Sequence, residues 1–209
     1  MKVPITQFYR QVLMVTVACA VGWGLVSGCA GQHKVMPQRQ DDAQTFARAL
    51  PRERGSSPPG SRQLQSVPFY PDETDQCGPA TLASVFAFWG TRIEPDSLKA
   101  EVYVTKVKGS LPIDLLLTAQ SHGFQAETFP GDFERIKAEI EAGHPLIAFV
   151  NLGFTIYPRG HYVVITGYDD RKQGIYIHSG LTPNTFVSYD QFFKDWEKTG
   201  RWTLKILPR

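Results

Sequence analysis

The chain has 209 residues, of which 42% are hydrophobic and 12% aromatic. This is the composition of a globular protein, and it excludes a wholly disordered chain or a multi-pass membrane protein. Residues 1–64 contain 8 Lys and Arg against 3 Asp and Glu, whereas residues 65–209 contain 14 against 17, so the net charge of +2 originates in the N-terminal third. Residues 65–209 are slightly acidic and have no basic stripe with interleaved aromatic residues, so nucleic acid is not an expected partner.

The N-terminus has the layout of a secretory signal peptide. Lys2 and Arg10 are its basic residues, and the apolar run that follows covers residues 12–26. The alternative is an uncleaved membrane anchor, but a spanning helix needs about 20 apolar residues and this run is shorter. We therefore predict a signal peptide over residues 1–28.

The apolar run ends in the sequence VSGC, residues 26–29. Small residues before a cysteine resemble the lipobox of bacterial lipoproteins, in which the cysteine is acylated and becomes the N-terminus after cleavage. We expect Cys29 to carry this lipid and to anchor the protein to a membrane of the bacterial cell envelope, facing the periplasm. In proteins with this resemblance, an Asp directly after the acylated cysteine is linked to retention in the inner membrane. Ala30 stands in that position here, so the outer membrane is the expected location.

The segment after the lipobox is expected to be a tether. Residues 29–64 are rich in Pro, Gly, Ser, Gln and Arg and show no sustained apolar periodicity. As a flexible coil, about 35 residues would reach roughly 30–35 Å from the membrane. The remaining residues, 65–209, have the usual size of one domain.

The three cysteines have different expected fates. Cys19 would be removed with the signal peptide and Cys29 would be acylated, which leaves Cys77 as the one free thiol of the mature protein. Structural cysteines in an oxidising compartment usually occur in pairs, so an unpaired one indicates either a reactive thiol or a buried bystander.

Periodicity within residues 65–209 predicts helices first and strands afterwards. The first helix begins at Cys77, places apolar residues at i, i+3, i+4 and i+7 from Leu82, and ends before Gly90. Further helices are predicted at about 95–102, 112–122, 132–142 and 189–198. Strands are predicted at about 146–150, 162–166, 174–177 and 203–207. This order favours an α+β fold in which N-terminal helices pack on a mostly antiparallel sheet.

A thiol at the start of a helix faces the positive end of the helix dipole and several unpaired backbone N–H groups. Both favour the thiolate, so we expect the pKa of Cys77 to be lowered. The same N–H groups could hold the oxyanion of a tetrahedral intermediate. His161 begins a predicted core strand, and although a lone strand-end histidine is usually structural, the pairing with Cys77 makes it a candidate base.

Two segments, DQCGPATL at residues 75–82 and GHYVVITGYD at residues 160–169, carry a family resemblance. Together they resemble the bacteriocin-processing, double-glycine leader peptidase-like family, and within it a lipoprotein-type branch. That family has the papain-like fold of cysteine peptidases. The resemblance covers about residues 65–208 and implies Cys77 as nucleophile and His161 as base.

The residue that orients the histidine departs from the family pattern. Family members usually have an Asp after the next strand, and Ser179 stands in that place. Asn151 is the reserve candidate, because papain-like proteases use Asn for this purpose, although Asn151 precedes His161 in the chain.

The oxyanion side chain departs from the pattern as well. A Gln about six residues before the nucleophile is common in such enzymes, whereas Pro71 and Asp72 occupy that stretch here. Gln76, next to Cys77, is the candidate that remains, and a turn residue is an equally good interpretation of it.

His178 raises the question of a metal site with Cys77 and His161. Zinc sites need three or four ligands, and neither C-x-x-C nor H-x-x-x-H spacing occurs in the chain. We therefore expect no metal and no cofactor.

The candidate residues predict a cysteine peptidase that acts on peptides or protein termini in the bacterial envelope through a Cys-His mechanism. Its expected partners are a peptide or protein substrate and, through the lipid, the membrane. Two alternatives stay open. A peptide-binding lipoprotein could use the same cleft without hydrolysis, and acyl transfer to an amine would use the same chemistry.

Overall fold

A computed structural model describes residues 60–72, 75–154 and 156–209. The predicted signal peptide, Cys29 and most of the predicted tether lie outside the described residues. The described residues belong to one compact unit, Pro51–Arg209. No helix within the described part is long and apolar enough to cross a membrane.

Five helices lie close to their predicted positions. They are α1 (Cys77–Phe88), α2 (Pro95–Val102), α3 (Pro112–Ser121), α4 (Phe133–Glu141) and α5 (Tyr189–Glu197). Local sequence explains where they begin. Helices α2 and α3 start at a proline, which needs no N–H partner in the first turn, while Asp132 and Ser188 cap α4 and α5 by accepting backbone N–H groups.

Nine strands are described. They are β1 (Ser61–Gln63), β2 (Tyr103–Val104), β3 (Gly109–Ser110), β4 (Gln125–Pro130), β5 (Leu146–Asn151), β6 (Gly160–Asp169), β7 (Gly174–Ser179), β8 (Thr182–Ser188) and β9 (Trp202–Leu207). Seven form an antiparallel sheet in the order β4-β9-β5-β6-β7-β8, with β1 paired to β6, and β2 and β3 form a separate hairpin. The predicted α+β fold with a mostly antiparallel sheet is confirmed.

The structure adds strands that periodicity did not predict, namely β1, the β2–β3 hairpin, β4 and β8. Strand β4 lies between α3 and α4, so the helices do not all precede the strands. Strand β1 lies at residues predicted to be tether, where Ser61–Gln63 pairs with β6 and Leu64 is buried. The last residues of the predicted tether therefore belong to the sheet.

Helix α1 is the central helix of the core. Residues 78–86 are all buried, because the helix packs against the sheet through β6 and against α2, α3 and β3. A helix that is apolar on all sides is suited to such a position. Strands β5 and β6 are continuous buried runs, with Leu146, Ile147 and Val164 inaccessible to solvent. This packing holds the N-terminus of α1 against the start of β6.

Candidate active site

Cys77 is the first residue of α1 and is a free, half-buried thiol. Its place depends on the next residue, Gly78. A Cβ at Gly78 would lie 2.6 Å from Ser110 Oγ and 3.3 Å from a methyl group of Leu115. Only glycine allows β3 and α3 to pack this closely on the first turn, so Gly78 sets the depth at which the thiol is held.

His161 is the second residue of β6 and pairs with Val150 in β5. Strands β6 and β7 are antiparallel, so the first residues of β6 lie beside the last residues of β7. Ser179, the last residue of β7, places its Oγ 3.0 Å from His161 Nε2. Ser179 therefore lies beside the imidazole, in the position that the family resemblance assigns to the orienting Asp, and Nδ1 is the nitrogen left to face a partner.

Asp72, Cys77 and His161 converge at the cleft. One carboxylate oxygen, the thiol sulfur and a ring nitrogen all lie within 4.8 Å of one another. The predicted pair of Cys77 and His161 is thus brought together across the boundary between helix and sheet. Asp72 was not predicted as a site residue, although it lies in the stretch before Cys77 where a Gln is common in such enzymes, and this was a signal that could have identified it.

Asp72 is held in place by its side chain and by its backbone. Its Oδ1 accepts the backbone N–H of Gln76 at 2.9 Å, and its own backbone N–H donates to the carbonyl oxygen of Gly180 at 2.9 Å. The segment before α1 is thereby tied both to the helix and to the turn after β7. The Gln76 N–H group thereby fixes the orientation of the carboxylate beside Cys77.

The expected lowering of the Cys77 pKa is wrong. Burial raises the pKa of this thiol and the negative charge of Asp72 adds to the effect, so that the pKa is about 11 although backbone N–H groups of Tyr162, Gly78 and Cys77 itself lower it. Desolvation and a neighbouring carboxylate outweigh the helix N-terminus. The local helix pattern predicts neither the burial of the thiol nor the position of Asp72, so the raised pKa does not follow from it.

Burial also lowers the pKa of His161, and the charge of Asp72 opposes this effect while that of Arg159 adds to it. A thiol with a raised pKa and an imidazole with a lowered pKa are both neutral near pH 7. The resting site therefore holds a thiol and a neutral base, and the proton must move from sulfur to nitrogen when the thiol attacks.

Asn151 has a different role from the one considered for it. It ends β5, is buried, and its Oδ1 accepts the backbone N–H groups of Gly153 at 2.9 Å and Arg159 at 2.8 Å. The side chain therefore closes the loop that leads into β6, and its oxygen is engaged there rather than at His161. Asn151 holds the approach to His161 indirectly, through the loop.

Gln76 precedes the helix and has no side-chain hydrogen bond that caps it. Its backbone N–H binds Asp72, and its carbonyl oxygen accepts the N–H of Ala80. The structure thus assigns its main chain to the first turn of α1, and an oxyanion role for its side chain stays a prediction.

His178 lies next to Ser179 but is buried with both ring nitrogens engaged. Nε2 lies 3.0 Å from the carbonyl oxygen of Val67, to which it donates, and Nδ1 accepts the backbone N–H of Asn184 at 3.1 Å. The ring meets Phe69 edge-on. His178 therefore supports the cleft from behind and has no nitrogen free for a ligand.

The thiol and the carboxylate open into a cleft between α1 and the ends of β6 and β7. It is lined by Phe69, Tyr70, Asp72, Cys77, Ala80, Thr81, Ser84, Tyr162, Val164, His178, Ser179 and Gly180. The lining combines apolar and aromatic side chains with the thiol of Cys77 and the carboxylate of Asp72, a combination typical of a binding site.

The model of the Peptidase_C39 like family matches residues 61–204. The chain belongs to this family. Its match begins at β1, which agrees with the pairing of that strand to the sheet. Family and fold indicate cysteine peptidase activity. No curated protein matches the chain significantly.

Solved structures with the same fold come from this family. The peptidase domain of ComA from Streptococcus, a bifunctional ABC transporter involved in quorum sensing, is 23% identical with a TM-score of 0.57, over 68% of this chain and 99% of that domain. A double glycine motif protease of an AMS/PCAT transporter, solved with its leader peptide, is 22% identical with a TM-score of 0.57, over 71% and 95%. A C39-like peptidase from Bacillus anthracis is 19% identical with a TM-score of 0.56, over 71% and 98%. These similarities confirm the papain-like fold.

Proposed function

We propose that this chain is a cysteine peptidase in which Cys77 is the nucleophile and His161 the base. The observation that carries the proposal is the approach of the thiol and the imidazole to within 4.8 Å, with Ser179 bound to the far nitrogen of the ring. Nucleophile, base and orienting group then form a chain of contacts of the kind that covalent catalysis requires.

The reaction follows from the neutral resting pair. His161 takes the thiol proton as the sulfur attacks the peptide carbonyl, and backbone N–H groups at the start of α1 stabilise the oxyanion. His161 then returns the proton to the departing amine, which leaves an acyl thioester on Cys77. Water, deprotonated by His161, hydrolyses the thioester and restores the thiol.

Asp72 modifies this reaction because a carboxylate beside the nucleophile repels both a thiolate and an oxyanion. The enzyme is therefore expected to be slower than a relative with an uncharged donor in this position. The substrates we propose are peptides or protein termini, since the thiol of Cys77 lines the cleft and the family match indicates peptidase activity.

The test is cleavage of a peptide library by the purified chain, followed by mass spectrometry. Cys77→Ala and His161→Gln are expected to abolish cleavage, whereas His122→Gln, at a half-buried imidazole paired with Glu101, should leave it unchanged. Cleavage that survives Cys77→Ala would contradict the proposal.

A second candidate, a peptide-binding protein without hydrolysis, is favoured by Ser179 and Asp72 in place of the residues usual in the family. Under this alternative Cys77→Ala should retain full affinity for peptides and should leave the cellular phenotype unchanged. An enzyme should lose the phenotype with the thiol.

We further propose that the protein acts in the bacterial envelope as a lipoprotein of the outer membrane, facing the periplasm. The support is the sequence of residues 1–30, with Cys29 as the acylated residue. Labelling with radioactive palmitate and membrane fractionation test this. Cys29→Ser should lose the label and leave the membrane fraction, and a label that persists would contradict the proposal.

A further inference from the structure

Three side chains at the mouth of the cleft offer three different ligand atoms to one point. The carboxylate of Asp72, the sulfur of Cys77 and a nitrogen of His161 lie within 4.8 Å of one another, and each residue is half-buried. In a tetrahedral zinc site, ligand atoms at bond lengths of about 2.0–2.3 Å are separated by roughly 3.5 Å. The three side chains therefore have to close by roughly an ångström, which rotation of their torsions supplies.

The groups around these three ligands already hold them as a metal site requires. A histidine that binds a metal usually engages its other ring nitrogen with an oxygen, and His161 Nε2 lies 3.0 Å from Ser179 Oγ. A carboxylate ligand is usually hydrogen-bonded, and Asp72 Oδ1 accepts the Gln76 N–H at 2.9 Å. Each of these hydrogen bonds orients its side chain and still leaves it a lone pair for the ion.

Charge and ligand type select the ion. The thiol of Cys77 releases its proton to solvent when zinc binds, and the resulting thiolate and the carboxylate of Asp72 together carry two negative charges that a divalent cation neutralises. Thiolate and imidazole favour zinc over magnesium or calcium, which prefer oxygen ligands. The sequence analysis considered His178 as the third ligand, but both of its nitrogens are engaged with Val67 and Asn184. Asp72 supplies the ligand that the sequence pattern lacked.

We propose that Asp72, Cys77 and His161 together bind one Zn²⁺ ion, with a fourth position open to the cleft, and that zinc bound there blocks the thiol. The binding of zinc stands independently of catalysis, whereas its inhibitory effect rests on the proposed peptidase function.

The binding test uses the full chain with Cys19→Ser and Cys29→Ser, so that Cys77 is the only thiol. Titration with zinc chloride is expected to show one ion per chain, and saturating zinc should slow alkylation of Cys77 at least tenfold. Magnesium chloride should do neither. Co²⁺ in place of zinc should give the near-ultraviolet thiolate charge-transfer band and the intense visible bands of tetrahedral cobalt.

Asp72→Asn is the decisive variant because it keeps the size of the side chain and removes its charge. Loss of a ligand is expected to weaken zinc at least as much as loss of an outer partner, which costs about 10–100-fold. His122→Gln, which removes a surface imidazole beside Glu101, should bind zinc as the parent does. If Asp72→Asn fails to fold, as judged by circular dichroism, His161→Gln provides the same test.

The outcomes separate this proposal from the peptidase function. Zinc affinity that is unchanged in Asp72→Asn or His161→Gln overturns the metal site, whether or not the chain cleaves peptides. Zinc binding that depends on all three residues in a chain that cleaves nothing supports the metal site and contradicts the peptidase. Cleavage that rises when zinc is added overturns the inhibitory effect.

Discussion

The two sides of the cleft are built on different physical principles. On the sheet side, polar groups are paired and neutral, since His161 is bound to Ser179 and His178 is bound to two backbone groups. On the helix side, the carboxylate of Asp72 lies beside the thiol of Cys77. The absence of a Cβ at Gly78 allows the close packing that positions this thiol.

This difference indicates that the two sides of the cleft have different roles. On the sheet side, hydrogen bonds orient the imidazole of His161, the proposed base, and removal of either partner removes that orientation. The helix side controls the reactivity of the nucleophile through burial and charge, which raise the pKa of Cys77. Among substitutions that leave Cys77 and His161 in place, changes on the helix side should therefore have larger effects than changes on the sheet side.

The largest effect is expected from Gly78→Ala, on the helix side. The new Cβ would lie 2.6 Å from Ser110 Oγ and must displace the start of α1. Overpacking of this kind costs about 1–3 kcal/mol of unfolding free energy, and a displacement of about 1 Å can lower turnover about 100-fold. Urea unfolding and peptide cleavage measure the two effects.

Gly109→Ala is the matched control for this prediction. A Cβ at Gly109 would meet only the carbonyl oxygen of Val107, at 3.9 Å, which is an ordinary contact. If the two alanine variants behaved alike, the close packing at Gly78 would not be what positions the thiol.

Asp72→Asn should have the next largest effect, in the opposite direction. Removing the charge lowers the pKa of Cys77. At a pH below the pKa, the thiolate fraction increases about tenfold for each unit by which the pKa falls. With a chelator present, we expect alkylation of Cys77 at pH 8 to be about tenfold faster than in the parent. Asp96→Asn, at the exposed start of α2, is the control, and equal rates in parent and Asp72→Asn would show that burial alone raises the pKa.

Ser179→Ala tests the sheet side. It removes the 3.0 Å contact with His161 Nε2, and a net hydrogen bond of about 1 kcal/mol corresponds to about fivefold in kcat. KM should stay the same because Ser179 acts through the imidazole. Ser121→Ala, which removes a hydroxyl bound to a helix carbonyl far from the cleft, is the control. A loss of 100-fold or more would mean that the sheet side matters as much as the helix side.

The smallest effect concerns pH and His178. Burial lowers the pKa of His178 from 6.5, and the hydrogen bond to the carbonyl oxygen of Val67 opposes this effect. A second proton on the ring would also displace the Asn184 N–H that Nδ1 accepts. Its contribution to stability is therefore complete above about pH 6.5 and is lost as the pH falls through the lowered folded-state pKa. His178→Gln should reduce the loss of unfolding free energy between pH 7 and pH 5 by about 1 kcal/mol.

Urea unfolding at pH 5, 6 and 7 measures this slope, with His122→Gln as the control. His161 also has a lowered pKa, but it is present in all three proteins and does not affect the comparison. Identical slopes in the parent and His178→Gln would show that the ring is protonated without cost.

Sequence patterns predicted the elements with strong signals of their own. Helix α1 was predicted from apolar spacing and its proline and glycine boundaries, and β6 from its β-branched run. Strands β4 and β8 were not predicted, because mostly exposed strands carry little apolar alternation and are defined by their neighbours in the sheet. Strand β1 has only three residues and forms through its pairing with β6.

The sequence by itself identified Cys77 and His161 as the candidate nucleophile and base, because a cysteine at a helix start and a histidine at a strand start are local features that resemble a family. Tertiary structure alone decided their surroundings. Asp72 meets the pair, and Asn151 turns to its own loop, through contacts between segments distant in the chain. The charge and burial at Cys77 are sums over those segments, so they follow from packing and not from any one motif.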